Sequence, residues 1–323
     1  MTTRRRFLAA AAAAAFAPRS FAQDLPRQIS IVVGFPAGGA TDLVARLIGD
    51  GLRRTLAPAV IVENRPGASG RVGVEYVKSA RNDGSVLLFT PAFPMLISPH
   101  LYPKLGYDTL RDFVAVGSVA RSMLCFAVGP AVPAAVTGIA AYVDWVKANP
   151  RQALFGAPSG SSQHFCGQLL GRAVGVPLQH VPYKGGAPAM QDLIGGHLPA
   201  NASPVAEALP HHQAGKIRIL AVAGVRRSRF LPEVPSLAEL GYREVVFQDW
   251  LGVFAPAGTP PAVAARLYAA MAETVNAPEG VAALGKFGME TDAAGPDAFP
   301  GIVKADWERY RAIVNASGFK AED

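Results

Sequence analysis

Cysteine is scarce: the chain of 323 residues carries two, Cys125 and Cys166. Two thiols cannot form the multi-bridge framework of a small secreted scaffold, and no C-x-x-C pair offers a zinc site. They read as buried thiols, with a disulfide as the alternative. Long apolar runs are missing as well. The charge-free stretch 122–143 is interrupted by Gly129, Pro130, Pro133 and Gly138, which excludes a spanning helix and predicts a strand, a turn and a helix start. There is no Lys/Arg tract. Once Arg4, Arg5, Arg6 and Arg19 are assigned to an N-terminal leader, 27 of the 31 basic residues remain against 24 acidic ones, a balance of +3. That small surplus gives no reason to expect nucleic acid, and it tolerates an anionic ligand without requiring one.

The leader itself is informative. Thr3-Arg4-Arg5-Arg6-Phe7-Leu8 fits the twin-arginine export pattern, and the ten-residue apolar stretch Leu8 to Ala17 follows. That stretch is about half the roughly 20 residues that a membrane helix needs, so it reads as a signal core, with cleavage after Ala22. A periplasmic destination is expected. The remainder is longer than one core usually supports, which predicts two domains.

Short buried-strand runs alternate with helical patterns. Strands are expected at Ile29–Gly34, Val60–Val62 and Val86–Thr90, with helices at Thr41–Leu56 and Val72–Ser79. A second unit follows: strand 124–128, helix 139–148, strand 153–155, helix 162–174, strand 178–181, helix 187–194 and strand 216–223. Leu251 to Phe254 returns to the first unit, and helices at 261–275 and 297–314 complete it. The expectation is α/β architecture with parallel sheets in two lobes, 23–124 with 249–323 and the inserted 125–248. Two connections between lobes make a hinge over a cleft.

Three strand-to-helix loops carry the chemistry. Gly34-Phe35-Pro36-Ala37-Gly38-Gly39-Ala40-Thr41-Asp42 joins the first strand to the first helix, where free amides and the helix dipole favour an anion. It has Walker A spacing, but Ala40 replaces the phosphate-binding Lys, so ATP is not expected. Glu63 sits where a Rossmann ribose acid would, yet G-x-G-x-x-G is missing. Asp42 or Thr41 is also a plain capping candidate. The second loop, Gly156-Ala157-Pro158-Ser159-Gly160-Ser161-Ser162-Gln163-His164, faces the first from the other lobe. No G-x-S-x-G elbow is present, so a hydrolase using Ser159 or Ser161 with His164 is the weaker reading, and His164 reads as a capping or packing group. In the third, Tyr183-Lys184-Gly185-Gly186, Tyr183 and Lys184 are read as bracing groups ahead of ligand contacts. His211-His212 lacks a third ligand, and no metal or cofactor is expected. Asp249-Trp250 offers a polar group and an aromatic wall, or a packed hinge.

These blocks, together with Glu63-Asn64-Arg65-Pro66-Gly67, Leu231-Pro232-Glu233-Val234-Pro235 and Ala255-Pro256-Ala257-Gly258-Thr259-Pro260, resemble the Bug or TctC-type solute receptors of tripartite tricarboxylate transporters over essentially the whole chain. The resemblance implies a type II periplasmic-binding-protein fold, two lobes joined by a two-strand hinge, and no catalysis. It implies as ligand a small carboxylate: a di- or tricarboxylate, an acidic amino acid or an aromatic acid. It implies a monomer that serves membrane transporter subunits, with a membrane sensor as the alternative partner. Carried over, the ligand contacts are Phe35 to Asp42, the strand exit Thr90-Pro91-Ala92, and Pro158 to Ser162 with His164. One departure stands out. Where the family usually reads Gly-Gly-Gln-Val-Asp, this chain has Gly195-Gly196-His197-Leu198-Pro199, then Ala200 and Asn201-Ala202-Ser203 as the expected polar wall.

Overall fold

The structure, a computed structural model, describes residues 26–319; the export leader lies outside them. From Gln28 the chain forms β1 (Gln28–Val33), α1 (Ala40–Thr55), β2 (Ala59–Asn64), α2 (Arg71–Lys78), β3 (Val86–Pro91), α3 (Ala92–Leu96) and α4 (Ser98–Leu101). The long β4 (Phe113–Val128) leads to α5 (Ile139–Ala148), β5 (Leu154–Pro158), α6 (Ser162–Ala173), β6 (Gln179–Tyr183) and α7 (Gly186–Ile194). Then come β7 (Ala200–Pro204), α8 (Val205–Gln213) and β8 (Arg218–Val222). β9 (Gln248–Pro256) returns the chain to α9 (Pro261–Asn276), α10 (Pro278–Lys286), β10 (Glu290–Thr291) and α11 (Phe299–Ser317).

Local sequence explains the first unit. β1 is buried along Ile29, Ile31, Val32 and Val33, as a strand covered on both faces must be. α1 turns Val44, Ile48 and Leu52 inward at three- and four-residue spacing. Gly51 lets α9 approach, because a Cβ there would lie 1.8 Å from Thr274 Oγ1.

The strand order is β2-β1-β3-β9-β4-β7-β5-β6, with β8 and β10 also pairing with β4. β1 runs parallel to β2 and β3, and β5 runs parallel to β6 and β7. The expectation of parallel sheets fails at β4 and β9. Both pair antiparallel to their neighbours, because they carry the chain from one lobe to the other and back. β4 opposes β9 from Phe113 to Met123 and then β7 and β8 from Leu124 to Val128. Two register shifts, at Ala115/Gly117 and Ser118/Ala120, interrupt the β4–β9 ladder. This is a two-lobed α/β fold of the type II kind. Cys125 and Cys166 are both buried and unbridged.

Candidate functional site

The β1 exit is shaped by a contact that only glycine permits. A Cβ on Gly34 would meet the Gly70 carbonyl oxygen at 2.5 Å, so the β1–α1 loop and the 67–70 turn lie backbone to backbone. Gly38 then takes φ +83°, and its N–H donates to Asp42 Oδ2 at 2.9 Å. Asp42 is 1 % exposed and also accepts from Arg46 Nε (2.9 Å), Arg46 Nη2 (3.0 Å) and Asn64 Nδ2 (2.9 Å). Burial pushes its carboxyl up, but Arg46, the Gly38 amide and Asn64 outweigh it and hold the group below the usual value. Asp42 therefore clamps the loop from behind and does not line the cleft in front.

That cleft, about 680 Å³, is the size of a small-molecule site. Four helix starts open on it: Gly39, Ala40 and Thr41 of α1, Ser161, Ser162 and Gln163 of α6, Gly185 to Ala187 of α7, and Pro204, Ala206 and Glu207 of α8. The first N–H groups of a helix have no intrahelical partner, and each start carries roughly half a positive charge. Side-chain caps normally satisfy such amides. Here α1, α7 and α8 begin at Gly39, Gly185 and Pro204 with no side-chain cap, and α6 uses Ser161 to accept only the His164 N–H. The remaining amides form a ready anion cradle.

The floor comes from the crossover strands. Ser122 of β4 stands opposite Asp249 of β9, and both line the cleft together with Leu251. Ser162 Oγ donates to Asp249 Oδ2 at 2.7 Å, and Tyr310 Oη reaches Oδ1 at 3.4 Å. Desolvation raises the Asp249 carboxyl despite both hydroxyls. Glu207 is raised by burial alone. The residue as a whole is exposed, on the wall of the cleft. Lys184 is the one Lys or Arg among the lining residues.

A set with four uncapped or half-capped helix starts, no paired nucleophile and base, and a floor built from crossover strands is suited to holding an anion, not to cleaving a bond. The family profile described as "Tripartite tricarboxylate transporter family receptor", TctC, matches residues 44–319. The chain belongs to the TctC family. Its members are solute-binding receptors, not enzymes. Periplasmic binding protein BugD is 30 % identical, with a TM-score of 0.80 over 92 % of this chain and 99 % of that one. A Rhodopseudomonas palustris protein solved with adipate is 30 % identical, with a TM-score of 0.82 over 90 % and 97 %. MatC from the same organism, solved with malate, is 27 % identical, with a TM-score of 0.77 over 89 % and 99 %.

Within this TctC chain the structure sorts the expected contacts. Phe35, Pro36, Gly39, Ala40, Thr41, Pro91, Pro158, Ser159, Ser161, Ser162 and Asp249 line the cleft. Ala37 and Gly38 face bulk solvent, and Thr90, Ala92, Ala202 and Ser203 are buried behind the wall. Gly160 donates its N–H to His164 Nδ1 at 3.2 Å, and His164 stacks on His180 with ring centroids 3.9 Å apart. That ring packs under the loop, and its Nδ1 is occupied. Ser161 Oγ donates to the Pro158 carbonyl at 2.6 Å and accepts from the His164 backbone N–H, so its hydroxyl is not paired with the His164 ring.

Asn201 does not form a polar wall. It lies in β7 with its Nδ2 on the Gly156 carbonyl, because this central strand buries its side chains. Trp250 is core, edge-on to Phe299, with its Nε1–H on Asp306. Lys184, read first as a brace, opens on the cleft, while Tyr183 does the bracing by donating to Asp192 at 2.7 Å. His212 Nδ1 accepts the Ile219 N–H, and no group of three metal-ligating side chains occurs among the described residues. Sequence reasoning missed Ser122 and Glu207. The only signal for Glu207 was an acid in the first turn after Pro204.

Proposed function

We propose that this chain captures a small carboxylate between its lobes, 23–124 with 249–323 against 125–248, and presents it to the membrane subunits of a tripartite tricarboxylate-type transporter. One observation carries the reading: helix starts from both lobes, α1 on one side and α6 on the other, open uncommitted amides on the same cleft. A carboxylate there receives charge-assisted bonds, each worth about 1.5–3 kcal/mol, in a site that closure dries. The adipate and malate in the two Rhodopseudomonas structures support that ligand class. β4 and β9 are the hinge, and β4 crosses between lobes where its pairing passes from β9 at Met123 to β7 at Leu124. The chain acts as a monomer and reaches the periplasm by the twin-arginine route, with its leader cleaved after Ala22.

A thermal-shift screen of carboxylates tests the reading. A ligand at 100 times its Kd stabilises the folded protein by about 2.7 kcal/mol, a clear rise in Tm. The corresponding primary amides should give little or none. Equal shifts for acids and amides would refute it.

A further inference from the structure

Resting on the receptor reading, we propose that α11 is a third tie between the lobes, and that Phe319 at its end is a positioning residue that holds the Pro158 to Ser162 loop in place from behind the cleft. The two halves of α11 are anchored on different lobes. Its first half sits on the first lobe. The Phe299 ring is edge-on to Trp250 at 5.0 Å, the Trp250 indole donates to Asp306 at 3.1 Å, and the His100 ring donates to the Trp307 carbonyl at 3.1 Å.

From Arg309 onward the partners change. The Arg309 guanidinium donates to the Val246 carbonyl, and the Tyr310 ring packs on Phe247 at 6.0 Å. Phe247 in turn donates its N–H to the Ala223 carbonyl at the end of β8, in the second lobe. Arg172 of α6 donates from Nη1 to the Ala316 carbonyl at 2.9 Å and from Nη2 to the Ser317 carbonyl at 3.3 Å. The end of a helix leaves such carbonyls without intrahelical partners, and a cation there also meets the negative end of the dipole. Gly318 then closes the helix at φ +69°, a left-handed turn that glycine adopts without strain. Beyond it the Phe319 ring lies edge-on to His164 at 4.8 Å and to Phe165 at 6.1 Å. With 19 residues, α11 spans about 28 Å.

Phe319 touches the back of a ligand loop. A Cβ on Gly160 would lie 3.5 Å from Phe319 Cε1 and 2.9 Å from Leu101 Cδ1, so the loop is seated against α4 of the first lobe and against the tip of α11. The Gly160 N–H is held by His164 Nδ1, and His164 is the ring that Phe319 covers. On the other side of the same loop, Pro158, Ser159, Ser161 and Ser162 line the cleft, whereas Phe319 does not. β9 reaches the loop at Ser162 through Asp249, and α11 supplies the support behind it. A swing about β4 and β9 that kept α11 on the first lobe would strip Phe319 and Arg172 from α6. The tie therefore favours the arrangement in which both ligand loops face one cleft.

Amide hydrogen exchange on the purified, ligand-free protein tests the tie. In Phe319→Ala and Arg172→Ala, exchange at 160–165 is expected to rise about fivefold or more while β1 exchanges as in the wild type, a pattern that a general loss of stability would not give. Phe319→Leu and Arg172→Lys, which keep an apolar group and a carbonyl donor, should restore most of the protection. Calorimetry with malate and with adipate reads the consequence for binding: whichever acid binds the wild-type chain should bind both alanine variants about fivefold or more weakly. Unchanged exchange at 160–165, or faster exchange with unchanged affinity, would overturn the proposal. If neither acid binds the wild-type chain, the receptor reading fails separately for these acids, and the exchange result still decides whether α11 holds the loop.

Discussion

Asp42→Asn separates the clamp behind the α1 loop from the cradle in front of it. The substitution keeps the shape, removes the charge, and places an NH2 among donors that need an acceptor: Gly38 N–H, Arg46 and Asn64, at 2.9–3.0 Å. Arg46 is 49 % exposed and re-solvates when released, so its share is that of an exposed pair, about 0.5–1 kcal/mol. The Gly38 and Asn64 bonds contribute about 1 kcal/mol each, and unmatched donors add to the loss. The total is about 3 kcal/mol, a fall in Tm of ~6 °C in a chain this long. The Asp42 carboxyl lies below its usual 3.8 when folded. Between the two values the unfolded chain binds the proton first, so this stability is full above pH 4 and is lost as the pH drops through the folded value. Thermal melts of both proteins from pH 7 to pH 3 should show a gap that is constant near neutrality and narrows below about pH 4. Carboxylate affinity should fall as well, since the clamp holds Gly38 in its left-handed turn. Equal stability at pH 7, or a gap independent of pH, would refute the assignment.

Other substitutions probe other contacts. Gly34→Ala drives a Cβ into backbone atoms of Gly70 that cannot swing aside, so a loss of more than about 2 kcal/mol and weakened binding are expected, seen by denaturant titration. Trp250→Phe leaves Asp306 without its indole donor and should cost about 1–2 kcal/mol in melts, but it should not change ligand affinity, because Trp250 lies outside the cleft. Desolvation, with His180 alongside, lowers His164 to about 4. The unfolded chain therefore takes up the proton first between pH 6.5 and 4, and stability falls by as much as ~3 kcal/mol as pH drops through that window. His164→Asn, which keeps an acceptor for Gly160, should flatten that part of the stability curve.

The parts legible in the sequence are those where hydrophobic spacing and glycine-rich loops coincide. β1, α1 and the Gly34 to Asp42 loop stand within a residue or two of expectation, as do α5 and α6. The first half of β4 was not read, because Gly117, Ser118, Arg121 and Ser122 give it no strand-like run. It is a strand because β9 and β10 pair with it. β7, Ala-Asn-Ala-Ser-Pro, was read as a loop wall for the same reason: a central strand with neighbours on both edges can be built of small residues. The floor was illegible because it arises where β4 and β9 meet, 127 positions apart at Ser122 and Asp249, and no local pattern encodes that pairing. Helix starts can be read one at a time from sequence, whereas the cleft they share is a tertiary fact.

A crystal structure with the tightest-binding acid from the thermal screen bears most directly on the cradle. The predicted result is a carboxylate with its oxygens about 3 Å from the N–H groups that open α1, at Ala40 and Thr41, and α6, at Ser162 and Gln163. A ligand whose carboxylate is held by Lys184 alone, or that sits outside the cleft between Gly39 and Ser161, would contradict it.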